Sequence, residues 1–149
     1  MKSKRRQSEG RAHSRAFLRI IDANTNRAKE ALRVCEDLAR LLMNNGRLAA
    51  AYKRTRHQLT HLLSDFPASY FELLRARDSA RDVGRRHLIQ DTAARPKWQG
   101  LMIANMKRAQ EALRVLEEVS KAVSPSAARR FSKLRFRLYE LEKKSVREF

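Results

Sequence analysis

Two stretches carry the side chains best suited to chemistry: "ANTNRAKEALRV" at Ala23–Val34 and "ANMKRAQEALRV" at Ala104–Val115. Each offers an amide, a guanidinium and a carboxylate in the same order, Asn24, Arg27 and Glu30, then Asn105, Arg108 and Glu111. Guanidinium forks beside amides bind anions that take several directed hydrogen bonds, a phosphate ester most simply. On a helical wheel Asn24 falls in the middle of the apolar stripe formed by Ala28, Ala31, Cys35, Leu38 and Leu42, and Arg27 lies about 60° from it. Glu30 stands at the border with solvent and Arg33 points away; the second stretch repeats this placement. Each therefore directs an amide and a guanidinium toward an interior, which is costly unless both find partners. Two arrangements satisfy them. In one, Asn24 pairs with Asn105 and fixes register, as a buried Asn does in coiled coils, while Arg27 and Arg108 bridge to Glu111 and Glu30 or extend to the rim. In the other, these side chains line a pocket for an anionic, hydrogen-bonding ligand, with Arg56 and Arg135 adding positive charge from neighbouring helices.

The elements that hold them are helices. The chain has 149 residues with four glycines and three prolines, and no stretch alternates as a strand does. Phe17, Ile20, Ile21, Ala28, Ala31, Cys35, Leu38 and Leu42 recur at helical spacing, predicting a first helix from about Ser14 to Asn44 that stops at "NNG". A second, with Tyr52, Thr55, Leu59 and Leu62 inward, ends before Pro67, and "ASYFELL" predicts a short third element. A long helix from about Leu101 to Val123 follows, then a last one capped by Ser124 with Pro125 in its first turn and Phe131, Leu134, Leu138 and Leu141 on one side. Asn24, Arg27, Glu30, Arg33 and Glu36 recur 81 positions on; Tyr52, Arg56, Leu59 and Leu62 align with Phe131, Arg135, Leu138 and Leu141 at 79. The expected fold is all-α: an antiparallel four-helix bundle made of two related helical hairpins with an internal pseudo-two-fold, residues 14–66 and 100–148, separated by a long inter-hairpin loop, 67–99. Residues 14–149 then form a single domain preceded by a basic tail, 1–13, whose lack of anchoring apolar residues predicts disorder.

The formal charge is +18, and the body remains basic without the tail, which points to an anionic partner. No apolar run follows the N-terminal charges as in a secretory signal, none approaches a membrane span, and the single cysteine, Cys35, reads as a small buried hydrophobe. A reducing, cytoplasmic setting is expected. Other candidates are less well supported by their spacing. Arg77, Asp78 and Asp82 in "ARDSARDVG" form either an Arg–Asp network or a Mg²⁺ site beside a phosphate. His57 and His61 have zinc spacing but face away from the apolar side, so no metal site is expected there. Trp98 reads as a cap over the bundle end. P-loop, dinucleotide and nucleophile-elbow motifs do not occur.

"RIIDANTNRAKEALRVCEDLAR", "ARDSARDVG", "NMKRAQEALRVLEE" and "LRFRLYELE", in that order, resemble the helical domain fused in front of the barrel in cyanobacterial-type thiamine-phosphate synthases, over roughly Arg19 to Glu142. That domain has been associated with hydroxymethylpyrimidine-phosphate kinase. The resemblance implies a thiamine-pathway role with a pyrimidine phosphate ligand. Arg27 and Arg108 would clamp phosphate, Asn24 and Asn105 would bond the ligand, and Glu30 and Glu111 would hold the arginines. Arg77, Asp78 and Asp82 would close the site. A kinase would also need Mg²⁺ and ATP, with Asp78 or Asp82 orienting the acceptor hydroxyl. The synthase barrel, about 200 residues or more in such folds, is not in this sequence, so the chain is not expected to be a complete synthase. Other expected roles are docking on a separate thiamine-phosphate synthase and binding nucleic acid through the tail and the runs "KRTRH" and "RRFSKLRFR".

Overall fold

A computed structural model describes residues 2–84 and 97–149, with side chains from residue 14 onward. Among the described residues there are five α-helices and no strand: α1 (Lys2–Asp37), α2 (Gly46–Ser64), α3 (Tyr70–Ala76), α4 (Trp98–Ser120) and α5 (Pro125–Val146). Most of the long loop expected between the halves, residues 85–96, lies outside the described residues.

α1 is longer at its start than expected. The backbone helix continues back to Lys2, through the segment that composition assigned to disorder. That segment has no proline, and lysine, arginine and glutamine are good helix formers, so a helix nucleated further along can propagate into it. At its other end α1 loosens into a π-helical turn, Leu38–Leu42, closed by Met43 N–H to the Leu38 carbonyl at 3.0 Å. The chain then reverses at Asn44, whose φ of 50° is left-handed. Asn44, not Gly46, is therefore the stop residue, and Gly46 opens α2. Asn45 caps α2 by accepting from Leu48 N–H at 3.0 Å. Ser69 and Glu72 form a capping box on α3, and Ser124 caps α5 with Pro125 in the first turn.

Packing follows from the stripes. α1 touches α2 and α4, α5 touches α4 and α2, and α3 lies on α1. The short turns and the cross-contacts fix directions. Tyr52 near the start of α2 meets Ser145 near the end of α5, and Arg130 at the start of α5 reaches Asp65 beyond the end of α2 at 2.9 Å. The Cys35 thiol lies 4.0 Å from the Met102 carbonyl, so α1 and α4 are antiparallel too. Ile21, Leu32, Tyr52, Leu59, Met102, Met106, Leu113, Leu116, Phe131 and Leu138 are fully enclosed between the helices. The wheel misplaced two residues: Ile20 and Leu42 are 40% and 42% exposed, while Leu32, not on the expected stripe, is buried. Ile20 sits at the edge of the apolar arc, and the π-turn re-aims Leu42. Trp98, expected as a cap, is 58% exposed. No helix among the described residues is long and apolar enough to cross a membrane.

Cys35 has no exposed surface, and burial pushes its thiol up to about 12. Thiolate is the reactive form, so a thiol reagent at about pH 8 should leave Cys35 untouched in native protein and label it in urea. The same shift makes the fold lose stability as pH rises from the unfolded thiol value of about 8.5 toward 12, because only the unfolded chain ionises readily there. Urea midpoints across that range should fall. Rapid native labelling would mean α1 does not pack on α4 as described.

Candidate functional site

Between α1 and α4, on the flank away from α2 and α5, lies a cavity of about 660 Å³. Its polar lining is Asn24, Arg27 and Glu30 from α1 with Asn105, Arg108 and Glu111 from α4; Ala31, Val34, Ala112 and Val115 supply the apolar part. All six side chains of the doubled motif therefore face one space. The spacing of three puts them on one face of each helix, and the antiparallel contact brings the two faces together.

The register arrangement is not formed. Asn24 donates to the Ile20 carbonyl of its own helix at 2.9 Å, and Asn105 donates to the Leu101 carbonyl at 2.9 Å. Each amide is buried and held in one orientation by the turn preceding it. Its carbonyl oxygen meets no donor among the described residues. The expected bridges from Arg27 and Arg108 to the glutamates are also missing: among the described residues neither guanidinium has an ion pair, and Glu30 and Glu111 have none either. Two cations, two anions and two anchored amides thus stand around the cavity without neutralising one another.

The other predicted residues are placed elsewhere. Arg56 is locked to Glu36 through Nε and Nη2 at 3.1 and 3.0 Å, tying α2 to α1. Arg135 grips Glu117 at 3.0 and 2.9 Å, tying α5 to α4, and also donates to the Tyr139 hydroxyl. Burial pulls the Arg135 pKa down, but the bonds to Tyr139 and Glu117 outweigh it and the guanidinium stays firmly charged. Neither arginine lines the cavity. Arg77 makes a two-pronged contact with buried Asp22, both distances 2.7 Å, and so pins the segment after α3 onto α1. Those bonds raise its pKa, and Arg77 does not line the cavity. Asp78 pairs with Arg81 at 3.0 Å, and Asp82 accepts from Gly84 N–H at 2.8 Å in a turn. The two aspartates join local contacts, not the cavity. His57 and His61 are both exposed.

Sequence reasoning passed over Asp22, Glu36 and Glu117. The last two share the 81-residue spacing and stand on a mostly apolar face, and that was the available signal that they hold Arg56 and Arg135.

Residues 19–144 match the model of the ThiD2 family, and the chain belongs to that family. It is 39% identical over 127 residues to the thiamine-phosphate synthase of Synechocystis sp., covering 85% of this chain and 35% of that protein. The thiamine-phosphate synthases of Nostoc punctiforme and Rhodopirellula baltica are 38% and 36% identical over 83% and 86% of this chain, each to 34% of their own length. The chain thus spans about a third of these relatives and corresponds to their N-terminal part. No solved structure matches.

The charge contacts predict a ranking. Arg135→Ala leaves Glu117 nearly buried without its main partner and should lower stability by about 1–3 kcal/mol. Arg27→Ala and Arg108→Ala remove exposed, unpaired side chains and should change stability by no more than about 0.5 kcal/mol. Urea unfolding would show it, and the reverse order would mean that Arg27 and Arg108 are the structural pair.

Proposed function

We propose that this domain binds a small phosphorylated ligand, hydroxymethylpyrimidine phosphate being the representative case, in the cavity between α1 and α4. One observation carries this most: Arg27 and Arg108 line a single cavity and, among the described residues, neither is paired with a carboxylate. A guanidinium pair of this kind is suited to phosphate oxygens. The oxygens of Asn24 and Asn105, already oriented by their own helices, are suited to accept from an amino group on a pyrimidine ring. Ala31, Val34, Ala112 and Val115 offer the apolar walls that a ring needs. The relatives are thiamine-phosphate synthases, which supports a ligand from the same chemistry.

The doubled lining has a simple origin on this view. The pairs α1–α2 and α4–α5 are two copies of one helical hairpin, with the pseudo-two-fold passing between α1 and α4. The matching anchors Arg56–Glu36 and Arg135–Glu117 support this. If the domain also transfers a phosphoryl group, Mg²⁺–ATP supplies it. No three His, Cys, Asp or Glu side chains converge among the described residues, which suits a magnesium that is carried by nucleotide phosphates and touches one or two carboxylates. Glu30 and Glu111, lining the cavity, are better placed than Asp78 or Asp82 to orient an acceptor hydroxyl.

Melting temperature in the presence of hydroxymethylpyrimidine phosphate or thiamine phosphate tests the proposal. At a hundredfold excess over Kd, binding should add about 2.7 kcal/mol of stability. Arg27→Ala and Arg108→Ala should each weaken that binding at least tenfold with the fold intact, whereas Asp82→Ala should leave it unchanged. Wild-type protein that shifts with neither ligand would sink the proposal. Docking on a synthase barrel is the second reading, favoured by the match to the N-terminal part of the relatives; co-purification with a synthase barrel would distinguish it.

A further inference from the structure

The flank opposite the cavity, between α2 and α5, is a continuous groove whose lining residues overlap from end to end. Two rows of side chains edge it at seven-residue intervals: Arg47, Arg54 and His61 on α2, and Arg130, Arg137 and Lys144 on α5. Arg47 shares one section of the groove with Lys144, Arg54 the next with Arg137, and His61 the last with Arg130. Seven helical residues rise about 10.5 Å, so the rungs cover about 21 Å. α2 contains no acidic residue at all.

Arg33, Arg77 and Arg114 are matched to carboxylates, whereas most cations of this groove are not. Among the described residues Arg47, Arg54, Lys133, Arg137 and Lys144 form no ion pair, and Arg137 donates only to the neutral Gln58. Arg130 is held by Asp65, and Glu140 and Glu148 share the groove, the latter engaged by Asn45. The balance is strongly positive, and it is independent of the α1–α4 cavity.

We infer that this groove is a binding surface for the phosphate backbone of a nucleic-acid duplex. Three features select that partner. The floor residues Leu48, Leu62, Leu134 and Leu141 are already buried, so a docking protein helix would gain little from apolar contact. Among the described residues no Phe, Tyr or Trp lines the groove, so it lacks the large stacking platform of a single-strand binder. What remains is charge, which acts on phosphates irrespective of base sequence and releases counterions.

Fluorescence anisotropy with a short labelled DNA duplex, at several salt concentrations, tests this. With about five phosphates neutralised, log K should fall against log salt with a slope of about −4.5. The double variant Arg54→Ala/Arg137→Ala should bind at least tenfold more weakly and flatten the slope by about 2, while Arg27→Ala binds as wild type. Circular dichroism would confirm that the double variant remains folded. Unchanged binding by the double variant would assign the affinity to the basic N-terminal segment and overturn the inference, as would no binding by wild type. Polyglutamate binding more tightly than the duplex at equal salt, and losing affinity in the double variant, would assign the groove to an acidic protein instead.

Discussion

Four alanines, Ala28, Ala31, Ala109 and Ala112, lie between α1 and α4, and each is 3% exposed or less. With nothing larger than a methyl group there, the two backbones can approach closely. Toward the interior, that approach lets the large residues of all four long helices close over Tyr52 and Phe131. Toward the outside, Ala31 and Ala112 leave room, and the cavity with its six polar side chains occupies it. A larger residue at either position would both separate the helices and fill the space. Core and cavity are therefore two consequences of one small-residue contact.

Charge is sorted in the same economical way. Glu36 and Glu117, each nearly buried, draw Arg56 and Arg135 inward and clamp α2 to α1 and α5 to α4. Asp22 does the same for the segment carrying Arg77. Truncating one partner of such a pair strands the other, so these residues resist change for reasons of stability. The cavity arginines and glutamates are under no such constraint, nor are the cations of the α2–α5 groove. The two unneutralised regions lie on opposite flanks, so a small anion in one does not obstruct a long anion in the other.

Much of this was legible in the sequence. Helical periodicity with few glycines and prolines located the long helices, and the wheel brought Asn24 and Arg27, with their counterparts, to one side of each helix, although Arg27 and Arg108 stand exposed at the cavity and not in the interior. What the wheel could not supply was the partner of each polar group. It offered Asn24 to Asn105, whereas each amide donates to the preceding turn of its own helix, a local bond that periodicity does not reveal. It counted Arg56 and Arg135 as charge for a ligand, because the inward glutamates that hold them belong to the adjacent helix. The N-terminal segment was assigned by composition to disorder, whereas the backbone helix runs back to Lys2 despite Gly10. The stop expected at "NNG" falls on Asn44, whose left-handed backbone ends the helix.

The central claim is that Arg27 and Arg108, and not their neighbours, meet phosphate. Arginine side-chain Nε–H resonances, followed by NMR while hydroxymethylpyrimidine phosphate is added, test it most directly. Arg27 and Arg108 should shift together and gain protection from exchange, while Arg56 and Arg135, already bonded to glutamate, stay in place. Shifts confined to Arg56 and Arg135, or to the arginines of the α2–α5 groove, would contradict a phosphate site between α1 and α4.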